Sequence, residues 1–323
     1  MFRYTGKKDP SVILGSSVGE DAALVSLGKK ILVLTTDPVT GTFSEIGSLA
    51  VDLNANDIAC RGAQPRWFLC TLLLPEKSDA AELDAIMRQV DSAARRIGVA
   101  VVGGHTEVTP GLNRPIVIGY MMGIAAKGKF VTSSGARPGD HIIMTRSAGI
   151  EGTSILAADF TSRFKGKLSS QLLRRAKKLR RLTCVVDDSL TSVRVGGVHA
   201  MHDPTEGGLL QGVWEVAEAS RVGFVIHESK IHILPETKRI CTALRVDPLR
   251  LLSSGCLLIA ADQRKSMKIL RRLNARGIPA SVIGTITPLN AGRKLVKVDG
   301  AIRTVGPSER DEIYRVIERY QKQ

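Results

Sequence analysis

Apolar runs and amphipathic stretches alternate through the first half of the chain. Lys30–Thr36 predicts a buried strand that ends at Asp37, and Trp67–Leu74 predicts an apolar strand closed by a proline. Ser78–Ile97 predicts a helix, because a Ser-Asp cap opens its apolar rhythm and a glycine follows it. A helix over Ser44–Ile58 and strands over Val99–Val102 and Pro115–Ala125 complete this half. The alternation indicates a fold of the α/β class that also contains α+β features.

The second half repeats this style after a Pro-Gly-Asp turn. Strands are expected at His141–Met144, Phe224–Ile226, Leu257–Ala260 and Ala280–Thr285, and helices after Gly152, from Asp203, over Ser266–Ala275 and over Ser308–Tyr320. At 323 residues the chain exceeds what one core usually supports. The sequence therefore predicts two domains, residues 1–135 and 136–323, with the boundary near Gly135.

Composition excludes several classes of protein. The first residues lack the apolar core of a signal peptide, and no apolar run is long enough to span a bilayer. The five cysteines are scattered, without Cys-x-x-Cys spacing, which argues against a disulfide framework and a structural zinc site. We expect a cytoplasmic protein with reduced thiols and no membrane partner.

The net charge of +15 is concentrated in one block. Phe160–Val186 contains nine lysines and arginines and no acidic residue. Such a patch could attract a nucleic-acid backbone, but no aromatic residue interleaves it after Phe164, which disfavours single-strand binding. Leucines at helical spacing indicate instead a helix over Leu168–Leu182 with one packed face and one solvated face, and this helix could dock an acidic protein.

Carboxylates beside small or glycine-rich backbone recur along this basic chain. Asp21 follows Gly19, Asp37 ends a predicted strand, Asp57 follows Asn56 near a helix end, and Asp203 precedes Pro204. Each one taken singly could be an ordinary turn or helix cap. Together they indicate Mg²⁺, which prefers hard oxygen ligands and is held by one or two carboxylates plus substrate phosphates. We expect an ATP–Mg²⁺ site, with Asp21, Asp37, Asp57 and Asp203 as metal ligands and Gly19 and Asn56 at the nucleotide.

Two glycine pairs could approach phosphate oxygens closely. Gly103 and Gly104 follow a predicted strand and precede His105 and Thr106, so a loop there could cradle phosphate, with Thr106 donating a hydrogen bond. His105 is a candidate for assisting transfer, together with Asp57. As a lone glycine-rich loop this is a weak signal, and it matches neither a Walker A loop nor a Rossmann fingerprint.

The second pair, Gly207 and Gly208, lies in Asp203-Pro204-Thr205-Glu206-Gly207-Gly208 at a predicted helix start. Free N–H groups at a helix start favour an anion. A plain helix cap is the competing interpretation.

The ordered series of these motifs resembles the AIR synthase superfamily over nearly the whole chain. Within it, the segments Gly152–Ala157, Ile240–Leu249 and Ser254–Leu258 are most similar to the HypE group of hydrogenase-maturation proteins. The resemblance implies two α/β domains, an amino-terminal domain that dimerises and binds ATP and Mg²⁺, and transfer of the γ-phosphate, often onto an amide-type oxygen. The HypE group carries a cysteine-bearing tail, whereas the last cysteine here is Cys256, which argues against the HypE reaction itself.

Two functions follow as hypotheses. The first is ATP- and Mg²⁺-dependent phosphoryl transfer to, or activation of, a small-molecule or amide-type acceptor. The alternative is a nucleotide-binding maturation or regulatory protein without its own small-molecule turnover. We also expect a homodimer through residues before Gly135, with Trp67–Leu74 buried on both faces and strands of Pro115–Ala125 pairing beside it.

Overall fold

The computed structural model describes residues 4–40 and 45–321, and the chain divides into two compact units, residues 1–130 and 131–323. The boundary expected near Gly135 falls a few residues beyond this division. Ser44, the expected start of the first long helix, lies outside the described residues, as do the first three and last two residues of the chain.

The first unit is a sheet covered by two helices. The sheet has six strands in the order β1-β2-β3-β6-β4-β5, antiparallel except where β4 and β5 run parallel. The expected pairing of Trp67–Leu74 with Pro115–Ala125 is confirmed as β4 beside β6. The elements are β1 (Val12–Leu14), β2 (Ala23–Leu27), β3 (Lys30–Val39), α1 (Ile46–Cys60), β4 (Gln64–Leu74), α2 (Ala80–Ile97), β5 (Ala100–Val108) and β6 (Ile116–Ala126).

The two helices of this unit differ in how they are buried. Helix α2 is amphipathic: Asp79 caps it by accepting from the Glu82 N–H at 2.8 Å, and Gly98 ends it in the left-handed conformation. Helix α1 packs against both the sheet and α2, and nearly all of its residues are buried. Its polar residues must therefore find partners inside the protein.

Two strands of the first unit run further than the sequence predicts. Strand β3 continues past Asp37 to Val39, because Asp37 stays in register with Gly119 of β6. Strand β5 continues through the expected phosphate loop to Val108, because Gly104 and His105 pair with Cys70 and Thr71 of β4. The expected glycine loop after Val102 is therefore wrong: Gly103–Glu107 is strand.

The second unit surrounds a sheet of seven strands in the order β13-β12-β9-β11-β7-β10-β8, in which only β12 and β9 run parallel. Its strands are β7 (His141–Thr145), β8 (Val198–His202), β9 (Gly223–His227), β10 (Leu258–Ala261), β11 (Ala280–Thr287), β12 (Arg293–Val296) and β13 (Ile302–Thr304). Its helices are α3 (Ile150–Asp159), α4 (Ser170–Lys178), α5 (Val186–Val195), α6 (Gly208–Ala219), α7 (Pro235–Leu244), α8 (Gln263–Asn274) and α9 (Glu312–Gln321).

The apolar interior of the second unit has two parts. One lies between the sheet and α6, around Phe224 and Leu258, and the other joins α3, α4, α7 and α9 around Phe164 and Leu251. Helix α6 starts at Gly208 rather than at the expected Asp203, because Gly207 adopts a left-handed φ of 77° that interrupts a helix. The helix expected over Leu168–Leu182 is α4 followed by a 3-10 turn over Leu179–Leu182.

The cysteines are free thiols in this structure, and four of the five are buried. Burial raises the pKa of Cys70 to about 11 and that of Cys241 to about 12, so these thiols stay protonated and unreactive near neutral pH. Among the residues described, no helix combines the length and apolar character needed to cross a bilayer.

Candidate nucleotide and metal site

Asp57 occupies the last turn of α1 and is almost fully buried. The Thr35 hydroxyl lies 2.7 Å from Asp57 Oδ2 and 2.8 Å from the Asp21 carbonyl oxygen. A hydroxyl has one proton, so Thr35 donates to one of these acceptors at a time. Thr35 on β3 therefore contacts both α1 and the Asp21 segment through its hydroxyl.

Asn54 lies on α1 one turn before Asp57, and its side-chain amide fixes the backbone of Asp37 on β3. Its Oδ1 accepts from the Asp37 N–H at 3.0 Å, and its Nδ2 donates to the Asp37 carbonyl at 3.3 Å and to the Ala50 carbonyl at 2.8 Å. A Cβ at Gly119, beside Asp37 in the sheet, would lie 2.2 Å from Asn54 Nδ2. The glycine thus lets the amide approach the strand closely.

Asp37 and Asp57 are close enough for their carboxyl groups to share a hydrogen bond. Burial raises the pKa of Asp37 to about 6, the hydrogen bond with Asp57 opposes the rise, and the Asp21 charge adds to it. Among the described residues of this unit, the carboxylate oxygens of the three do not all lie within 4.8 Å of one another. The structure therefore brings Asp37 and Asp57 together and places Asp21 further out.

These residues fit a hard divalent cation. Two adjacent carboxylates in a partly buried setting repel each other, and a cation between them would remove that repulsion. Mg²⁺ commonly takes one or two protein carboxylates and fills its other positions with water and phosphate oxygens. The pair Asp37–Asp57 would hold the ion, with Asp21 contributing charge from the adjoining segment.

A buried arginine positions the Asp21 segment. The Arg61 side chain is fully buried, and its Nη2 lies 3.2 Å from Glu20 Oε2 and 3.5 Å from Asp21 Oδ2. Removing one partner of a buried ion pair leaves an uncompensated charge, so this contact fixes the segment strongly. Sequence reasoning missed Thr35, Asn54 and Arg61 as positioning residues.

His105 does not lie near the carboxylate pair within the first unit. It sits on β5, which β6 and β4 separate from β3 in the sheet order, a distance of about 14 Å at the usual strand spacing. Its Nε2 lies 3.9 Å from Glu107 Oε2, and both side chains are exposed. The phosphate roles of Gly103, Gly104 and Thr106 stay predictions, and these residues lie on an exposed strand instead of a loop. Close packing accounts for one of the glycines, because a Cβ at Gly104 would lie 1.9 Å from the Cys70 carbonyl oxygen.

Gly19 and Asn56, expected at the nucleotide, lie in different settings. Gly19 has a φ of 75° in the turn that joins Ser17 to Glu20, which explains the glycine. Asn56 is fully buried within α1, next to Asp57. Their contacts with a nucleotide stay predictions.

In the second unit, Asp203 follows β8 and is almost fully buried. The next residues lead to Gly207, whose N–H donates to Asp311 Oδ2 at 2.7 Å, and to Gly208, whose N–H donates to the Thr205 carbonyl at 3.1 Å. Phosphate binding by these two N–H groups would have to displace both acceptors. A Cβ at Gly208 would lie 2.7 Å from the Leu251 carbonyl, so packing also accounts for this glycine.

Three histidines of the second unit lie close to other polar groups. His199 Nδ1 lies 2.9 Å from Asp140, His202 Nε2 lies 2.9 Å from Glu215, and His232 Nδ1 lies 2.8 Å from the Arg146 carbonyl. The i, i+3 pair His199 and His202 therefore binds two different carboxylates.

Comparison with known proteins connects both units to one family. The N-terminal domain of the AIR synthase related proteins matches residues 19–125, and the C-terminal domain of the same proteins matches residues 137–296. The chain belongs to the AIR synthase related family. The mixed α/β fold with two such domains, expected from the sequence, is confirmed.

Named relatives cover most of the chain. A protein of Methanocaldococcus jannaschii, named for hydrogenase expression and formation, is 30% identical over 281 residues, which is 84% of this chain and 81% of the relative. Carbamoyl dehydratase HypE of Cupriavidus necator is 29% identical over 297 residues, 88% of this chain and 82% of the relative. The crystal structure of the hydrogenase maturation protein HypE in complex with ATP superimposes with a TM-score of 0.77 at 25% identity, covering 91% of this chain and 89% of that one. The expected likeness to HypE is thus confirmed.

The second unit of this family member also holds a carboxylate that the sequence analysis missed. Glu151, in the first turn of α3, is almost fully buried, and its Oε2 has no hydrogen-bond partner among the described residues. Burial raises the pKa of Glu151 to about 7; a polar contact with Ser254 opposes the rise, and the charges of Asp311, Asp203 and Glu206 add to it. Its signal in the sequence, Gly149-Ile150-Glu151-Gly152, is indistinguishable from a helix start.

The raised pKa of Glu151 predicts a pH-dependent stability. Because the folded protein favours the protonated acid, this group stabilises the fold below its unfolded pKa, near 4.5, and that stability is lost as pH rises through about 7. Glu151→Gln keeps the neutral shape, so it should melt at about the same temperature as the parent at pH 5 and several degrees higher at pH 8, since about 1 kcal/mol shifts the melting temperature by about 2–4 °C.

The measurement is thermal unfolding with EDTA and without nucleotide, from pH 5 to pH 8. Glu309→Gln, at an exposed position, controls for the loss of one carboxylate and should follow the parent at every pH. A difference between Glu151→Gln and the parent that stays constant with pH would contradict the assignment.

Proposed function

We propose that this protein binds ATP with Mg²⁺ and uses it to phosphorylate or otherwise activate a small-molecule or amide-type acceptor. The observation that carries the proposal is the Asp37–Asp57 pair, held at the β3–α1 contact by Thr35 and Asn54. The names of the relatives support it: one is a carbamoyl dehydratase, and a HypE structure of the same fold contains ATP.

The residues of the first unit would have three roles: metal binding, orientation of a metal ligand and positioning of the Asp21 segment. Asp37 and Asp57 would hold Mg²⁺, which supplies charge neutralisation for the transferring phosphate. Thr35 would keep the Asp57 carboxylate oriented, and Arg61 would hold the Asp21 segment in place through Glu20. Phosphoryl transfer depends mainly on positioning and charge, so a protein that fixes these carboxylates rigidly provides most of what the reaction requires.

The proton state of Asp37 fits this role. At pH 7 a carboxyl with a pKa of about 6 is mostly ionised and can bind a cation, whereas at pH 5 it is mostly protonated. Binding of the ion should therefore weaken below about pH 6.

The second candidate function is a nucleotide-binding maturation or regulatory protein that has no turnover of its own. The basic helix α4 favours it, because Arg174 and Lys178 are exposed, whereas Arg175 forms an ion pair with Glu236 at 2.6 Å. An acidic protein could dock there. Release of ADP by the isolated protein in the presence of single metabolites would count against this function, and a stable acidic partner without any such release would favour it.

The metal assignment predicts the behaviour of Asp57→Asn. This change keeps the size of the side chain and removes a charge, so the affinity for ATP with Mg²⁺ should fall by about tenfold or more, since a charge-assisted contact is worth roughly 1.5–3 kcal/mol. Without Mg²⁺, in EDTA, the two proteins should bind ATP alike. Calorimetric titration measures both affinities.

Asp84→Asn is the matched control, because Asp84 is exposed on α2 and forms a surface ion pair with Arg88 one turn later. It should bind ATP with Mg²⁺ like the parent. Unchanged affinity in Asp57→Asn, with a native circular dichroism spectrum, would remove Asp57 from the site.

We also propose a homodimer through the first unit. Strand β5 ends the sheet, every one of its nine residues is exposed, and Val102 and Val108 are 51% and 56% exposed. Such an edge presents unpaired N–H and C=O groups that another strand can pair with. The dimer that the resemblance to the AIR synthase superfamily implies would cover this edge strand.

The dimer predicts the effect of a charge on that edge. Val102→Asp should convert a dimer at micromolar concentration into a monomer, because an aspartate resists burial between two strands. Val298→Asp, at an exposed position of the second unit, should leave the dimer intact. Light scattering gives both masses, and a monomeric parent that still binds ATP would refute the dimer.

A further inference from the structure

Helices α5 and α8 enclose a groove that no part of the proposed function uses. Its volume is about 480 Å³, within the range of small-molecule sites. Thr191 and Val195 of α5 and Ala275 after α8 line it with small side chains. The residues sit three or four apart on each helix, so both helices turn one continuous face towards this α5–α8 groove.

The rest of the lining is cationic. Among the residues that the structure describes, no acidic residue lines the groove, and its charged lining consists of five side chains, Arg194, Lys268, Arg271, Arg272 and Arg276. Asp187 lies 3.5 Å from Arg276, and both side chains of this pair are largely exposed, so the ion pair neutralises little of the positive charge. Its neighbour Asp188 is fully buried and faces Arg146 at 2.6 Å.

A buried hydroxyl distinguishes the groove from a merely solvated basic face. Thr191 is 3% exposed, and its Oγ1 has no hydrogen-bond partner among the described residues. Two other helical hydroxyls in this unit donate to the carbonyl four residues earlier, Ser192 to Asp188 and Thr242 to Lys238, both at 2.8 Å. An unsatisfied buried hydroxyl is unfavourable, so a ligand towards which the Thr191 side chain turns, and which accepts its proton, would remove that penalty.

Helix polarity alone does not account for the cations. Arg271 and Arg272 lie in the last turn of α8, where positive charge is favourable, and Arg271 Nε lies 3.4 Å from the Met267 carbonyl. Arg194 lies in the last turn of α5, where positive charge is favourable as well, whereas Lys268 lies a turn earlier on α8. Their convergence on one concavity with Thr191 is what indicates a ligand.

We propose that the α5–α8 groove binds a small polyphosphate, meaning a molecule with two or more adjacent phosphate groups and no base to be read. Arginine forks match phosphate oxygens in pairs, and several of them around one concavity suit several adjacent phosphates. None of the described residues that line the groove is aromatic, so this lining offers no stacking surface for a nucleobase. The site stands apart from the Asp37–Asp57 pair and does not depend on the proposed function.

Tripolyphosphate tests the proposal on the full chain. Calorimetric titration in EDTA, without Mg²⁺, should show saturable binding that weakens as salt rises. Lys268→Gln with Arg272→Gln should weaken it by about tenfold or more, because each removes a charge-assisted contact. Lys127→Gln with Lys129→Gln, at two exposed positions of the first unit, removes the same charge elsewhere and should change the affinity by less than about twofold.

Thr191→Val tests the hydroxyl separately. Valine has nearly the same shape, so the affinity for tripolyphosphate should fall by about fivefold, the equivalent of one hydrogen bond, while the melting temperature stays the same or rises. This combination separates a ligand contact from a structural role, which would lower the melting temperature and leave the affinity unchanged.

Three results would overturn the proposal. One is the absence of saturable binding up to about 1 mM tripolyphosphate, which would put the dissociation constant above the millimolar range. Another is equal weakening by the groove pair of substitutions and by the control pair at Lys127 and Lys129, which would mean that only the net charge matters. The third is a single-stranded RNA 12-mer that binds at the groove more than about tenfold tighter than tripolyphosphate, which would assign the groove to nucleic acid.

Discussion

The burial of α1 is the constraint on which the first unit depends. This helix packs against both the sheet and α2, yet it carries Asp52, Asn54, Asn56 and Asp57 among its buried residues. Buried polar groups must be paired, and charged ones most of all. Asp52 pairs with Arg96 of α2, Asn54 with the backbone of β3, and Asp57 with Thr35. The same contacts that make α1 stable also fix the Asp37–Asp57 pair, so stability and site geometry are inseparable here.

The sequence predicted the parts of this arrangement that depend on local pattern. Apolar periodicity gave the alternation of strands and helices, and Ser78-Asp79 and Gly98 marked the ends of α2. The carboxylates Asp37 and Asp57 are recognisable because acidic residues beside small or glycine-rich backbone recur along a basic chain and together indicate a cation. The structure places them side by side.

The parts that failed depend on pairing between distant residues. Gly103-Gly104 suggests a loop when only neighbours are considered, but pairing with β4 over Trp67–Leu74 extends the strand through it. Asn54, Arg61 and Glu151 are ordinary helix or loop residues in a local pattern, and only their burial reveals them. The α5–α8 groove has the same origin, since Arg194 and Lys268 are far apart in the sequence and converge only when the two helices pack.

The titration of Asp37 tests the central claim, that Asp37 and Asp57 form a cation-binding pair. Carbon-13 NMR of aspartate labelled at the carboxyl carbon, with Asp37→Asn to assign the signal, follows its protonation directly. Without nucleotide, the midpoint should lie near pH 6, and with saturating ATP and Mg²⁺ it should fall by about two units or more, because a cation favours the ionised form. A midpoint near the ordinary value of 3.8, or one that ATP and Mg²⁺ leave unchanged, would contradict the account.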